Sequence, residues 1–187
     1  MPEKPENVGT IFSTRARASR VYIIGMMRRL LPLLLLLVAS PLSARDSLGV
    51  FGDWGAFRDP ETPRCYAIAA AETRSSRRDF DAFASVGTWP ARNVSAQVHF
   101  RLGRRLADNP RVRLAIGGER FNLTAGDGDA WAADASTDLE IVSAMRAAGR
   151  MSISATDNRG NRFTDSYSLA GAATAIDAAS LGCSQSS

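Results

Sequence analysis

The chain has 187 residues, 45% hydrophobic and 22% charged, with two cysteines, one histidine and a net charge of +4. That is one domain's worth of chain, without internal repeats, a coiled coil or low-complexity tracts. Lys4, Arg15, Arg17, Arg20, Arg28 and Arg29 against Glu3 and Glu6 account for the whole net charge, so residues 45–187 are formally neutral. A nucleic-acid partner needs a basic stripe on the folded domain. Arg77-Arg78 and Arg104-Arg105, set beside scattered carboxylates, read as solvated faces, and nucleic acid is discarded as a partner.

The chain opens on an export signal. Arg28-Arg29 supply the positive end, residues 30–39 the apolar stretch, and Leu42-Ser43-Ala44 a small-residue cleavage site, with the cut between Ala44 and Arg45. Met26 and Met27 just before the basic pair are alternative true starts. The apolar run is shorter than the roughly 20 residues that span about 30 Å of hydrocarbon, so no stable membrane insertion is expected after cleavage. No cysteine stands at the cut, which excludes a lipid anchor there. The expected organisation is a signal segment over 1–44 and a single domain over 45–187, placed in the periplasm or secreted.

Segments 51–57, 65–71 and 83–89 read as strands, separated by the turn-rich Asp59-Pro60-Glu61-Thr62-Pro63 and the charged stretch 74–81. The clearest strand is 94–102: Val94, Ala96, Val98, Phe100 and Leu102 fall on one face, and Ser95, Gln97, His99 and Arg101 on the other. Val112, Leu114 and Ile116 alternate up to Gly117-Gly118, and Phe121 and Leu123 alternate after it. This is a two-residue hairpin in which Ile116 pairs with Glu119, Leu114 with Phe121 and Val112 with Leu123. A third hairpin joins Met151, Ile153 and Ala155 to Phe163, Tyr167 and Leu169, with Asp165 interrupting the apolar face.

Two short helices interrupt the strands. Thr137 and Glu140 have capping-box spacing, Leu139, Val142 and Met145 recur at helical intervals, and Gly149 supplies a stop. The alanine-rich 170–180 forms the second, ending at Gly182 beside Cys183. Strands that follow one another through short turns argue for an antiparallel sandwich or barrel with helical insertions.

Cys65 and Cys183 have one pairing available and, in an oxidising compartment, are expected to be bonded. Two distant cysteines and one histidine offer too few ligands for zinc. Asp127, Asp129, Asp134 and Asp138 resemble a calcium loop at first sight, but counting from Asp127 puts Trp131 and Ala132 where an acidic or amide ligand and a glycine are needed. Turn formation and helix capping explain them. No metal and no cofactor is assigned. His99 is the sole imidazole base on offer and sits mid-strand on a wet face, and no Gly-x-Ser-x-Gly elbow occurs in the sequence, so no catalytic residue is assigned. Trp54, Trp89 and Trp131 can stack a ligand, and core or sheet-end packing is the favoured reading of them.

Phe51-Gly52-Asp53-Trp54, Cys65-Tyr66-Ala67-Ile68, the stretch Met145-Arg146-Ala147-Ala148-Gly149-Arg150-Met151 and the ending from Tyr167 through Ala170-Gly171-Ala172 to Ile176 together resemble the invasion-associated locus B family of bacterial exported envelope proteins. The resemblance implies an immunoglobulin-like β-sandwich and no established enzymatic activity; the family is named for a member linked to entry into host red cells. Many members carry a further cysteine pair where this chain has Ala130-Trp131-Ala132-Ala133-Asp134. The expected function is a non-catalytic envelope or host-association module with a protein partner of unknown identity. A periplasmic hydrolase and a small inhibitor or chaperone-like factor are the alternatives.

Overall fold

The computed structural model describes residues 45–72 and 78–184; the expected export signal and the Ala44 side of its expected cleavage site lie outside the described residues. The first strands are β1, Asp46–Phe51, and β2, Trp54–Asp59, paired with Phe51 opposite Trp54. Sequence alternation alone runs 51–57 together as one strand. The chain instead reverses at Gly52, whose φ of +58° suits a two-residue turn.

β3 (Arg64–Ala70), β4 (Phe83–Trp89) and β5 (Val94–Arg101) follow, each antiparallel to the strand before it. β6 (Val112–Ile116) and β7 (Glu119–Gly126) form the expected hairpin, in the expected register. β8 (Asp129–Trp131) is too short to show as alternation. After helix α1 (Ala135–Ala147) come β9 (Arg150–Thr156), β10 (Arg162–Ser168) and helix α2 (Ala172–Ser184).

The strands form one open sheet in the order β1-β2-β3-β4-β5-β8-β7-β6-β9-β10. β7 makes it continuous, because residues 119–123 pair with β6 and residues 124–126 with β8. On a flat sheet the five spacings from β5 to β10 cover about 24 Å. Yet the Phe100 and Tyr167 rings lie 6.1 Å apart, and the Glu72 N–H donates to the Ser166 carbonyl at 2.8 Å. The sheet therefore curls over its own core. The mainly β, antiparallel class with a mid-domain and a C-terminal helix is as expected; the strand order does not show an immunoglobulin-like pairing of two sheets.

Small residues shape the inner face. Ala56, Ala67, Ala69 and Ala84 let α2 settle closely on β2–β4 through Ala172, Ala175, Ile176 and Ala179, all buried. Cys65 of β3 is bonded to Cys183, with Cα atoms 5.7 Å apart. Cys183 stands in the last turn of α2, because the helix runs on through Gly182 instead of stopping there. α1 begins three residues earlier than its sequence spacing implies. Asp134, not Thr137, is the cap: its Oδ1 accepts the Thr137 N–H at 2.8 Å, and that bond holds its carboxyl below the usual carboxylate range. On this helix Leu139, expected on the apolar face, points outward at 59% exposed, and Ile141, Val142 and Met145 are buried. β8 covers β5 only at residues 99–101, and the Val98 N–H beyond it is taken at 2.7 Å by the buried Asp138.

Asp165, which interrupts the apolar face of β10, is buried at the closure of the curl. Its carboxylate accepts the Gly103 N–H at 2.8 Å and lies 3.6 Å from the Arg78 guanidinium. Burial pushes this carboxyl above the ordinary range, against the opposing pull of Gly103, Arg78 and Arg104. Nearby Asp157 is held below it by the Asn161 N–H and by Arg104 at 3.0 Å.

Candidate functional site: an aromatic outer sheet face

Residues that alternate away from the core on β2–β5 and β8 share one outer face. Register fixes its rows: Phe57, Tyr66, Gly87 and Gln97 lie side by side across four strands. In the next row come Ile68, Ser85, His99 and Trp131, and in the third Ala70, Phe83, Arg101 and Asp129. The glycines decide how the rings lie. A Cβ on Gly87 would stand 2.6 Å from the Trp89 ring, and one on Gly55 2.7 Å from Phe57, so both rings lie down on the sheet over a missing side chain.

The remaining rings are placed by one another. Phe57 and Tyr66 stack at 5.7 Å, with the Arg64 guanidinium 4.8 Å from the Tyr66 centroid. His99 stacks on Trp131 at 5.4 Å and meets the edge of Phe83 at the same distance. Asp129 ties the polar edge together: one oxygen lies 3.0 Å from His99 Nε2, and the other accepts from Arg101 at 2.5 Å. Arg101 in turn lies 3.9 Å over Phe80, at the mouth of an open groove of about 1060 Å³ that continues past Arg105 and Pro110. Phe57, Phe83, Trp89, His99 and Trp131 are half-buried, exposed on one side only.

The three tryptophans therefore part company. Trp54 is fully buried, its indole N–H donating to the Ser168 carbonyl at 2.9 Å, which is the packing role expected of it. Trp89 and Trp131 face outward. The four aspartates also separate: Asp127 in a turn, Asp129 beside His99, Asp134 at the helix cap and Asp138 buried against β5. Among the described residues no three His, Cys, Asp or Glu side chains gather so as to hold a metal ion.

His99 and Asp129 make the beginnings of a base, but the chemistry goes no further. Ser85, directly across the ladder from His99, gives its hydroxyl to the His99 carbonyl oxygen at 3.4 Å instead of to the ring, so no activated nucleophile faces the imidazole. What the face offers is a broad surface of flat rings, two guanidinium groups and one carboxylate. Sequence reading missed the His99–Asp129–Arg101 contact because the three-residue β8 carries no periodic signal.

Fold and face together define a disulfide-closed antiparallel β domain with an aromatic outer surface. No protein-family model matches the chain, and no curated protein matches it. Among solved structures it is similar to invasion associated protein B from Bartonella henselae, at 16% sequence identity and a TM-score of 0.53, over 78% of this chain and all of that one. The likeness is one of fold, and it agrees with the resemblance read from the Phe51–Trp54 and Tyr167–Ile176 segments. The Cys65–Cys183 bond suits an oxidising, extracytoplasmic setting. No helix among the described residues is long and apolar enough to cross a membrane.

Proposed function

We propose that the chain is the precursor of a non-catalytic envelope protein, cut between Ala44 and Arg45 and released to the periplasm or beyond, where it acts as a protein-interaction or host-association module. The curled sheet is read as sandwich-like, its two halves enclosing one core. The observation that carries the function is the outer face itself: Trp89, Trp131, Arg64 and Arg101, half-exposed on a rigid sheet, are of the residue types that dominate binding energy at protein interfaces. The signal-like leader, the Cys65–Cys183 bond and the likeness to an invasion associated protein support the extracytoplasmic half of the reading. A hydrolase reading draws only on the His99–Asp129 pair.

The test truncates the face. A Trp89→Ala, Trp131→Ala double variant, cross-linked in the native envelope beside the unaltered protein, is expected to lose its bound partner about tenfold or more, since truncating one interface hot spot costs about 2 kcal/mol. His99→Ala is expected to lose far less. Equal recovery of the same partner by the double variant overturns the assignment of binding to this face.

A further inference from the structure

The other half of the sheet has an outer face of quite different chemistry. By register Arg113 of β6 lies between Asn122 of β7 and Ser154 of β9, and Ser154 lies opposite Thr164 of β10. Arg120 stands opposite Ala115, and Arg162 opposite Thr156. Arg111, Arg113 and Arg162 converge with Ser154, Thr156 and Thr164 on one open cavity of about 460 Å³, where the Ser154 and Thr164 hydroxyls are 3.0 Å apart. No outward position of β6, β7, β9 or β10 is an aspartate or glutamate; Glu72, which reaches this face beside Ser152 and Ser166, is paired with Arg150 of β9.

Charge pairing together with position marks these arginines. Arg64, Arg78, Arg101, Arg104 and Arg146 each meet a carboxylate. Among the described residues Arg111, Arg113, Arg120 and Arg162 meet none in the salt bridges of the structure, as is also true of Arg92 and Arg105, but the first four gather on one half-sheet. Even in a domain of no net charge, like charges gathered on one face repel one another and raise a local positive field that an anion relieves. Guanidinium forks match the oxygens of sulfate and phosphate groups, and flanking hydroxyls add donors.

The layout selects among anions. Neighbouring strands lie about 4.8 Å apart and alternate residues about 6.8 Å apart, so the charges form an array and not a single socket. That suits a polymer with repeated anionic groups. The outward positions are Arg, Ser, Thr, Asn, Ala and Gly, with no ring for bases to stack on and no helix to enter a groove, which disfavours nucleic acid. The same list holds no large apolar side chain to insert into a lipid surface. We infer that the outer face of β6, β7, β9 and β10 binds a sulfated polysaccharide chain, with Arg111, Arg113 and Arg162 as its principal contacts. This goes beyond the protein-binding reading of the opposite half-sheet and stands without it.

The experiment is titration of the full exported domain with heparin at about 0.15 M salt. Compared with it are an Arg111→Ser, Arg113→Ser, Arg162→Ser variant and a control in which Arg92, exposed beyond the end of β4 on the other half of the sheet, is changed to serine. Double-stranded DNA and anionic-lipid vesicles serve as competing probes. The expected result is salt-sensitive heparin binding, weakened about tenfold or more in the triple variant with a shallower salt dependence, and little changed in the control. Circular dichroism of the triple variant is expected to match the unaltered protein, as befits exposed positions. Absence of heparin binding, equal loss in the control, or DNA or vesicles bound as tightly as heparin overturns the inference.

Discussion

Replacing Cys65 and Cys183 together by alanine is expected to lower the unfolding free energy by about 4 kcal/mol and the midpoint of thermal unfolding by roughly 15 °C. The bond closes 118 residues of chain, nearly the whole domain, so the unfolded ensemble it constrains is large. It also holds the last turn of α2 against β3, where both cysteines are buried. Denaturant unfolding of the oxidised protein and the double variant measures the difference directly. A loss below about 1 kcal/mol means that α2 is held by its alanine-rich packing alone.

The second large effect belongs to Gly171. A Cβ there would lie 1.8 Å from the Phe51 carbonyl oxygen, and Gly171 also has φ +86°. Both obstacles are backbone, so no side chain can move aside. Gly52 faces it with the same constraint, a Cβ there meeting the Ala170 carbonyl oxygen at 2.5 Å, and the Asp53 N–H donates to that oxygen at 3.1 Å. Gly171→Ala is expected to cost about 4 kcal/mol or more, enough to abolish recovery of folded protein at 37 °C. Gly160→Ala separates the causes: its φ is +83° but nothing stands within 4 Å, so it should cost only the left-handed strain of about 1–2 kcal/mol. Equal losses for the two alanines contradict the close approach of the turn to the start of α2.

That contact explains why two distant segments carried the family resemblance. Phe51-Gly52-Asp53-Trp54 and Ser168-Leu169-Ala170-Gly171 are one structural joint, locked by the glycine pair and by the Trp54 indole on the Ser168 carbonyl. The hairpin at Gly117-Gly118 was legible down to its register because its alternation is local and its turn is two glycines. The β1–β2 turn was hidden, since Phe51 and Trp54 flank it so closely that the run reads as one aromatic strand. Thr137 looked like a cap because its spacing to Glu140 is right, but Asp134 reaches the Thr137 N–H first.

Asp165 looked out of place for a reason no single strand contains. Its partners, Gly103 and Arg78, arrive from segments far off in sequence when the sheet curls. The two surface faces were hidden in the same way. His99 showed as an isolated histidine until β8 brought Asp129 and Trp131 beside it. The basic face is written as one or two arginines per strand, every second residue, in a domain of no net charge; only cross-strand register adds them together.

The proposed export, together with the disulfide closure, underlies the proposed binding roles, and intact-mass measurement tests both most directly. The protein is recovered from its producing cells and alkylated with and without prior reduction. A mass beginning at Arg45, with Cys65 and Cys183 labelled only after reduction, is the expected result. A mass that retains residues 1–44, with both thiols labelled without reduction, contradicts the extracytoplasmic assignment and the binding roles built on it.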